Sequence, residues 1–341
     1  MSEAALNQIR DLIQQDIGNR GLRTDATDNL ISACFADFHG ACHSLAKTTN
    51  PSVAVVTGFY IPHARPPCGE TDGPLGALFL ARALVPLGIE VLLVTDAFCL
   101  PALEAGITAA GLRKRVPLIP LPSPGRGEKL SRHEYWDAFA ERAGPITHLI
   151  ALERVGPSHT ADSLQAQPGT TPATIADFLG EIPADHHDRC HTMRGRDITA
   201  NMSSAHYLFE VAAESPPRIA TIGIGDGGNE IGMGKIPWAT IRRNIPNGGM
   251  VACRVPTDHL IVCGVSNWGA YGLAAGVRLL RGHEPDPGLF DLKRERDFLE
   301  HMVKQGPLVD GVTGHPDVSV DGLPFERYGE VLRRIGEIRT P

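Results

Sequence analysis

The sequence predicts an α/β protein: a doubly wound, mostly parallel sheet flanked by helices, with a polar lid-like insertion. Three observations carry this. Short β-branched apolar runs alternate with helical segments from residue 53 onward, the pattern of strand–helix units in a parallel sheet. Those runs end in Gly, Thr, Asp or Glu, as strands do where an α/β crevice gathers ligand-binding groups. The stretch 156–200 interrupts the alternation with Pro, Thr, His and Asp, and a long polar segment inside a compact domain marks a binding loop or lid.

Taken in order, residues 4–17 place apolar side chains at helical spacing, and 26–46 read as a second helix. Val53-Ala-Val-Val-Thr57 predicts a strand buried on both faces. Residues 73–84 read as a helix with Pro74 in its first turn, where a missing N–H is tolerated. Strands are expected at 89–95, 116–120 and 147–152, with helices at 101–110 and 131–142 between them. Beyond the insertion come a helix at 202–213, strands at 218–222 and 258–263, helices at 268–281 and 291–304, and a C-terminal helix. The expectation is one domain, 1–341, with 156–200 inserted in it and no internal repeat.

Composition narrows the function. The chain is 42% hydrophobic and 21% charged, with a formal charge of -7 and no Lys/Arg block, which argues against nucleic-acid and polybasic membrane partners. Seven cysteines without a CxxC pair fit a reducing compartment. No secretory or Arg-rich leader is read at the start and no apolar run is long enough to span a bilayer, so a cytoplasmic protein is expected. The expected partner is a small amino acid or other carboxylate, and a homo-oligomer is compatible with the sequence.

The most informative run is Thr221-Ile-Gly-Ile-Gly-Asp-Gly-Gly-Asn-Glu-Ile-Gly-Met-Gly234. It sets Asp226, Asn229 and Glu230 in a turn whose glycines let backbone amides approach a ligand. Acids recur at the other strand ends: Glu70 and Asp72, Asp96, Glu153 and Asp310, with Arg154 and Arg194 nearby. An Asp or Thr at any one of these serves equally well as a helix cap, but at the carboxyl edge of a parallel sheet all of them point to one crevice. Carboxylate and amide oxygens suit a hard cation, so Asp226, Asn229 and Glu230 are candidate ligands for Mg²⁺ or Mn²⁺. His39 and His43 lie one helical turn apart without a third ligand, which favours helix packing over zinc. The spacing of His186, His187, Cys190 and His191 favours a solvated loop. Neither a dinucleotide fingerprint at the first strand–helix turn nor a P-loop is present.

Seven motifs together resemble the C-terminal domain of the D-glutamate cyclase family. They are Thr57-Gly-Phe59, Glu70-Thr-Asp-Gly-Pro-Leu-Gly76, Glu153-Arg-Val-Gly-Pro157, Met193-Arg-Gly-Arg-Asp197, Gly223 to Gly234, Pro256-Thr-Asp-His-Leu-Ile261 and Val265-Ser-Asn-Trp-Gly-Ala270. The resemblance implies conversion of D-glutamate to 5-oxo-D-proline with loss of water. The family's mammalian member is mitochondrial and carries an additional N-terminal hydro-lyase-like domain, which this sequence does not show. Matched to that chemistry, Asp226 and Glu230 are expected in acid/base or metal roles, and Glu70 and Asp72 in amine recognition. Arg154, Arg194 and the Gly227 and Gly228 amides are expected to hold substrate carboxylates. Thr57, Gly58, Thr71, Asn229, Ser266 and Asn267 complete the expected binding set.

Two rival readings use the same residues. A metal-dependent phosphohydrolase would use the Gly225–Met233 loop, but its Asp-x-Asp strand end has Phe98 in Thr95-Asp-Ala-Phe98. A non-catalytic domain would bind a small carboxylate or amino acid without turning it over.

Overall fold

The computed structural model describes residues 2–122, 130–283 and 286–339. Six strands form the central sheet: β1 (Ser52–Thr57), β2 (Glu90–Thr95), β3 (Leu118–Pro120), β4 (His148–Leu152), β5 (Ala220–Gly225) and β6 (His259–Val262). Their spatial order is β3-β2-β1-β4-β5-β6, and every pairing is parallel. The chain therefore starts at the centre, winds outward through β3, and returns to wind the other way from β4. The switch point between β1 and β4 is where such sheets open a crevice at their carboxyl ends. Thr57 is level with Leu152, and Leu152 with Ile224, so the chain leaves all three strands toward the same rim.

Side-chain alternation along β1 explains the two helical layers. Val53 and Val55 pack with the helices Ser2–Ile13, Pro74–Leu84 and Ser266–Leu280. Ala54 and Val56 face the opposite layer with the helices Arg132–Ala143, His206–Glu214 and Trp238–Asn244. A strand with apolar groups on both faces is the buried type that a doubly wound sheet requires.

Several boundaries differ from the sequence expectation, each for a local reason. The first helix ends at Ile13 rather than near residue 17. Just beyond it the Asp16 carboxylate accepts the backbone N–H groups of Arg20, Gly21 and Leu22, folding the chain into a tight loop. The expected 26–46 helix is two helices, Leu30–Ala33 and Asp37–Lys47. Asn29 and Ser32 form a capping box for the first, and Cys34 is non-helical at φ -131. The 156–200 segment is a packed layer rather than a loose lid. Its helices Ala161–Ala166 and Pro172–Glu181 are capped by Thr160 and Thr171, and Leu164, Phe178 and Ile182 enter the core.

Two small sheets escaped the sequence reading, because strands of two or three residues carry no usable periodicity. Cys68–Glu70 pairs on one side with Tyr60–Ile61 and on the other with Leu308–Val309. Glu70, expected beyond the end of the first strand, thus lies on a short strand of its own. Ser319–Val320 and Leu323–Pro324 form a hairpin. Among the described residues no helix is long and apolar enough to cross a membrane.

Between helices, Arg82 and Glu295 form a buried ion pair. Tyr271 donates to the second Glu295 oxygen, and the Arg82 guanidinium lies over the Phe298 ring. Removing one member leaves the other charge buried and unpaired. Glu295→Ala is therefore expected to lower stability by about 3–5 kcal/mol, and Glu295→Gln by less, read from urea unfolding midpoints.

Candidate active site

The loop after β5 is organised by its own glutamate. Glu230 accepts the N–H groups of Asp226 and Gly227 on Oε1 and that of Gly228 on Oε2, at 2.8, 2.7 and 2.7 Å. Gly228 has φ 103, a left-handed conformation that glycine adopts without strain. The Gly227 and Gly228 amides, expected to hold a substrate carboxylate, are thus engaged by Glu230. The Asn229 amide donates to the His191 carbonyl at 2.8 Å, tying the loop to the 156–200 segment.

Asp72 and Asn267 cap each other's helices. Asp72 accepts the N–H groups of Ser266 and Asn267 at 2.9 and 2.8 Å, at the start of the Ser266–Leu280 helix. The Asn267 side-chain oxygen accepts those of Gly73 and Gly76 at 2.9 and 2.7 Å, at the start of the Pro74–Leu84 helix. Each thereby satisfies donors that a helix leaves open at its N-terminus. The two helix N-termini turn their partial positive charge toward the acids.

Between these loops lies a cavity of about 110 Å³, lined by Arg20, Phe59, Ile61, His63, Glu70, Glu153, Thr192, Met193, Arg194, Gly311, Val312 and Asp321. Arg20 crosses its floor, bonding Asp226 Oδ1 at 3.0 Å and Asp321 Oδ1 at 2.7 Å. The Asp16 loop presents this arginine from the N-terminal segment. Asp321 sits at φ 55 in the hairpin turn, followed by Gly322 at φ 74. Asp310 holds that turn by accepting from Ser319 Oγ and the Gly322 N–H, both at 2.7 Å, and it also accepts the Val312 and Thr313 N–H groups. A Cβ on Gly311 would lie 1.8 Å from Glu70 Oε2, so glycine there keeps room for that carboxylate. A larger groove of about 280 Å³ beside β3 is lined by Leu100, Ile107, Val116 and neighbours, and it contains none of these acids.

The remaining expected residues divide. Arg154, fully buried, donates to Asp96, to the Gly58 carbonyl and to the Ser203 carbonyl. It does not line the cavity, and neither does Asp96, whose other oxygen accepts the Ser203 N–H at 2.7 Å; Asp72, Asp226 and Glu230 are not in the lining either, and Asp226 reaches it through Arg20. Thr71 Oγ1 donates to the Ser319 carbonyl and ties the hairpin to the sheet. The Ser266 hydroxyl donates to Glu153 Oε2, and Glu153 itself sits at φ 44. Thr57 Oγ1 is buried without a partner among the described residues, beside Gly73. Arg194 lies at the cavity mouth, donating to the Val312 carbonyl at 2.9 Å. His39 and His43 share the Glu3 carboxylate, joining two helices as the packing reading expects. His186 bonds His191, and all seven cysteines are free and buried. Arg20 and Asp321 were missed by sequence reading. The Asp321-Gly322 dipeptide was the available signal for a hairpin turn; nothing local marks Arg20.

Electrostatics follow from crowding. Burial raises the Glu70, Asp72, Glu153 and Asp226 carboxyls well above their ordinary range, and their neighbouring acids raise them further. Arg20 opposes this at Glu70, Asp72 and Asp226. Burial works against charge on Arg20 itself, but Asp226 and Asp321 outweigh it and hold the guanidinium protonated. Two trios, Asp72–Asp226–Asp321 and Glu153–Asp226–Glu230, each bring oxygens within 4.8 Å of one another. These donors suit a hard cation. Glu153 joins Asp226 and Glu230 in the second trio, and Asn229, expected as a ligand with them, uses its side-chain N–H on the His191 carbonyl.

The fold and the site define an α/β protein with an acid-lined cavity at the switch point of a parallel sheet. The chain belongs to the D-glutamate cyclase-like, C-terminal family, whose model matches residues 9–167 and 181–336. It is 29% identical to human mitochondrial D-glutamate cyclase, over 98% of this chain and 52% of that protein, and so spans about half the length of that relative. Among solved structures, a short-chain dehydrogenase/reductase from Serratia marcescens BCRC 10948 aligns over 65% of this chain and 99% of its own. It is 13% identical with a TM-score of 0.26, and at that score the likeness carries no argument.

A pH test follows. The raised carboxyls have folded-state pKa values above their unfolded ones. Their contribution to stability is therefore complete below the ordinary carboxylate range and is lost as pH rises through the raised values. Glu153→Gln keeps an acceptor for Ser266 and removes one such group. It is expected to unfold a few degrees higher than wild type near pH 9, and to lose less between about pH 6 and about pH 9. Thermal melts across that range check it.

Proposed function

We propose that the protein is a D-glutamate cyclase-like lyase that closes D-glutamate to 5-oxo-D-proline with loss of water. Family membership supports the reaction class. The observation that carries the assignment to this region is Asp226, 1% exposed, with one oxygen on the cavity-lining Arg20 and the other without a partner among the described residues. Raised carboxyls beside a held guanidinium suit a reaction that moves protons between a substrate's amine and its carboxyl.

The reaction needs a neutral amine, an attacked γ-carbonyl carbon and an oxygen that leaves as water. The C–N bond forms as a C–O bond breaks, and the two protons lost by the ammonium balance the two carried away by the γ-oxygen. A carboxylate that takes a proton from nitrogen and a carboxylic acid that gives one to oxygen serve both ends. Asp226 is the group we assign to proton transfer, with Glu153 and Glu70 as neighbours able to hold the second proton. Glu230 carries three backbone hydrogen bonds and fixes the loop that places Asp226. Arg194 supplies a cationic donor for substrate carboxylates, a role it was expected to share with Arg154, while Arg20 holds Asp226. Mg²⁺ or Mn²⁺, when bound, would be held by Glu153, Asp226 and Glu230 and would polarise the γ-carboxyl. Holding the substrate folded makes ring closure effectively unimolecular, so positioning contributes much of the rate.

Incubation with D- and L-glutamate, with and without Mn²⁺, is expected to release 5-oxoproline from the D-isomer. Absence of product under every condition, with saturable binding of D-glutamate, would establish binding without turnover instead. Asp226→Asn retains an oxygen for Arg20 and is expected to reduce kcat by at least about 100-fold with an unchanged near-UV circular dichroism spectrum.

A further inference from the structure

We infer that Asp321, with Asp226 and Asp72, forms a subsite for the substrate's ammonium group, so that the amino acid enters amine first with its carboxylates toward the Arg194 mouth. This rests on the cavity assigned above and adds to it the ligand's orientation and a binding residue on the C-terminal hairpin.

The geometry comes first. Asp321 lines the cavity with a side chain only 7% exposed. Its Oδ2 and Asp226 Oδ2 are buried without a hydrogen-bond partner among the described residues. Each carboxylate gives its other oxygen to Arg20, so one acceptor from each is left facing its neighbours. Asp72, whose oxygens also accept helix-terminal N–H groups, completes a trio in which one oxygen of each carboxylate lies within 4.8 Å of the others. An ammonium making N–H···O bonds of about 2.9 Å to three tetrahedrally placed acceptors needs them about 4.7 Å apart.

Charge points the same way. Glu70, Asp72, Glu153, Asp226 and Asp321 surround a single guanidinium on the cavity floor. Buried carboxylates without enough counter-charge are costly, and a ligand that brings one positive charge and three donors relieves both deficits. A divalent ion in this trio would sit beside the Arg20 guanidinium and be repelled about twice as strongly as an ammonium. The mouth has the opposite character, with Arg194 at the cavity wall and Arg196 donating to the Pro62 carbonyl nearby. An acidic floor under a basic rim orients a zwitterion.

Two deletion analogues of glutamate separate its ends. γ-Aminobutyrate keeps the amine and one carboxylate at the same spacing but lacks the α-carboxylate. Glutarate keeps both carboxylates and lacks the amine. The test variant is Asp321→Asn, because asparagine is as acceptable as aspartate before glycine in a hairpin turn and keeps an oxygen for Arg20. By titration calorimetry, wild type is expected to bind γ-aminobutyrate and D-glutamate. In Asp321→Asn both are expected to weaken by about 30-fold or more, while glutarate binds equally or more tightly.

Absence of heat from γ-aminobutyrate in wild type would overturn the inference, as would affinity unchanged in Asp321→Asn. Mn²⁺ binding that is lost in Asp321→Asn, without γ-aminobutyrate binding, would assign the trio to a metal and overturn it too. These readouts require no turnover. A protein that binds both amines in an Asp321-dependent way yet releases no 5-oxoproline would remove the cyclase reading and leave the ammonium subsite standing.

Discussion

Burying Glu70, Asp72, Glu153, Asp226 and Asp321 about Arg20 takes five carboxyl groups and a guanidinium out of water, and the architecture around them is arranged to meet that cost. Two helices point their N-termini at the cluster through Gly73 and Ser266. The β5 loop folds three amides onto Glu230, so that acid is satisfied by its own backbone. What remains uncompensated is concentrated at Asp226 and Asp321, whose outer oxygens lack partners among the described residues.

Acids at the strand ends do two kinds of work, and the hydrogen bonds separate them. Asp72, Asp310 and Glu230 accept backbone N–H groups and hold loops or helices in place. Asp96 neutralises Arg154 and fastens the Ser203 backbone. The same residue type at the same kind of position therefore serves as scaffold or as chemistry, according to whether an oxygen is left over. Asp72 does both, capping a helix while contributing to the trio beneath the cavity.

The cavity also depends on segments distant in the chain. Arg20 arrives from the loop after the first helix, and Asp321 from a hairpin near the C-terminus. The Thr71 hydroxyl, bonded to the Ser319 carbonyl, and the pairing of Leu308–Val309 with the Glu70 strand bring the C-terminal part against the sheet. Glu70 and Asp321 consequently line one cavity only when both ends of the chain are docked.

Apolar period and strand-end polarity are local properties, and they were enough to specify the six buried strands, their helical layers and the carboxyl edge on which acids collect. They also marked Asp226, Glu230, Glu70 and Asp72 as members of one region. Which of these acids keeps an open oxygen was settled by packing, since a hydrogen-bond partner is a matter of contact rather than of spacing. Packing withdrew Arg154 from the cavity by burying it against Asp96, and it supplied Arg20 and Asp321 in its place. No periodicity reveals a salt bridge between residues 20 and 321, because the charge that each of them needs lies at the other end of the chain.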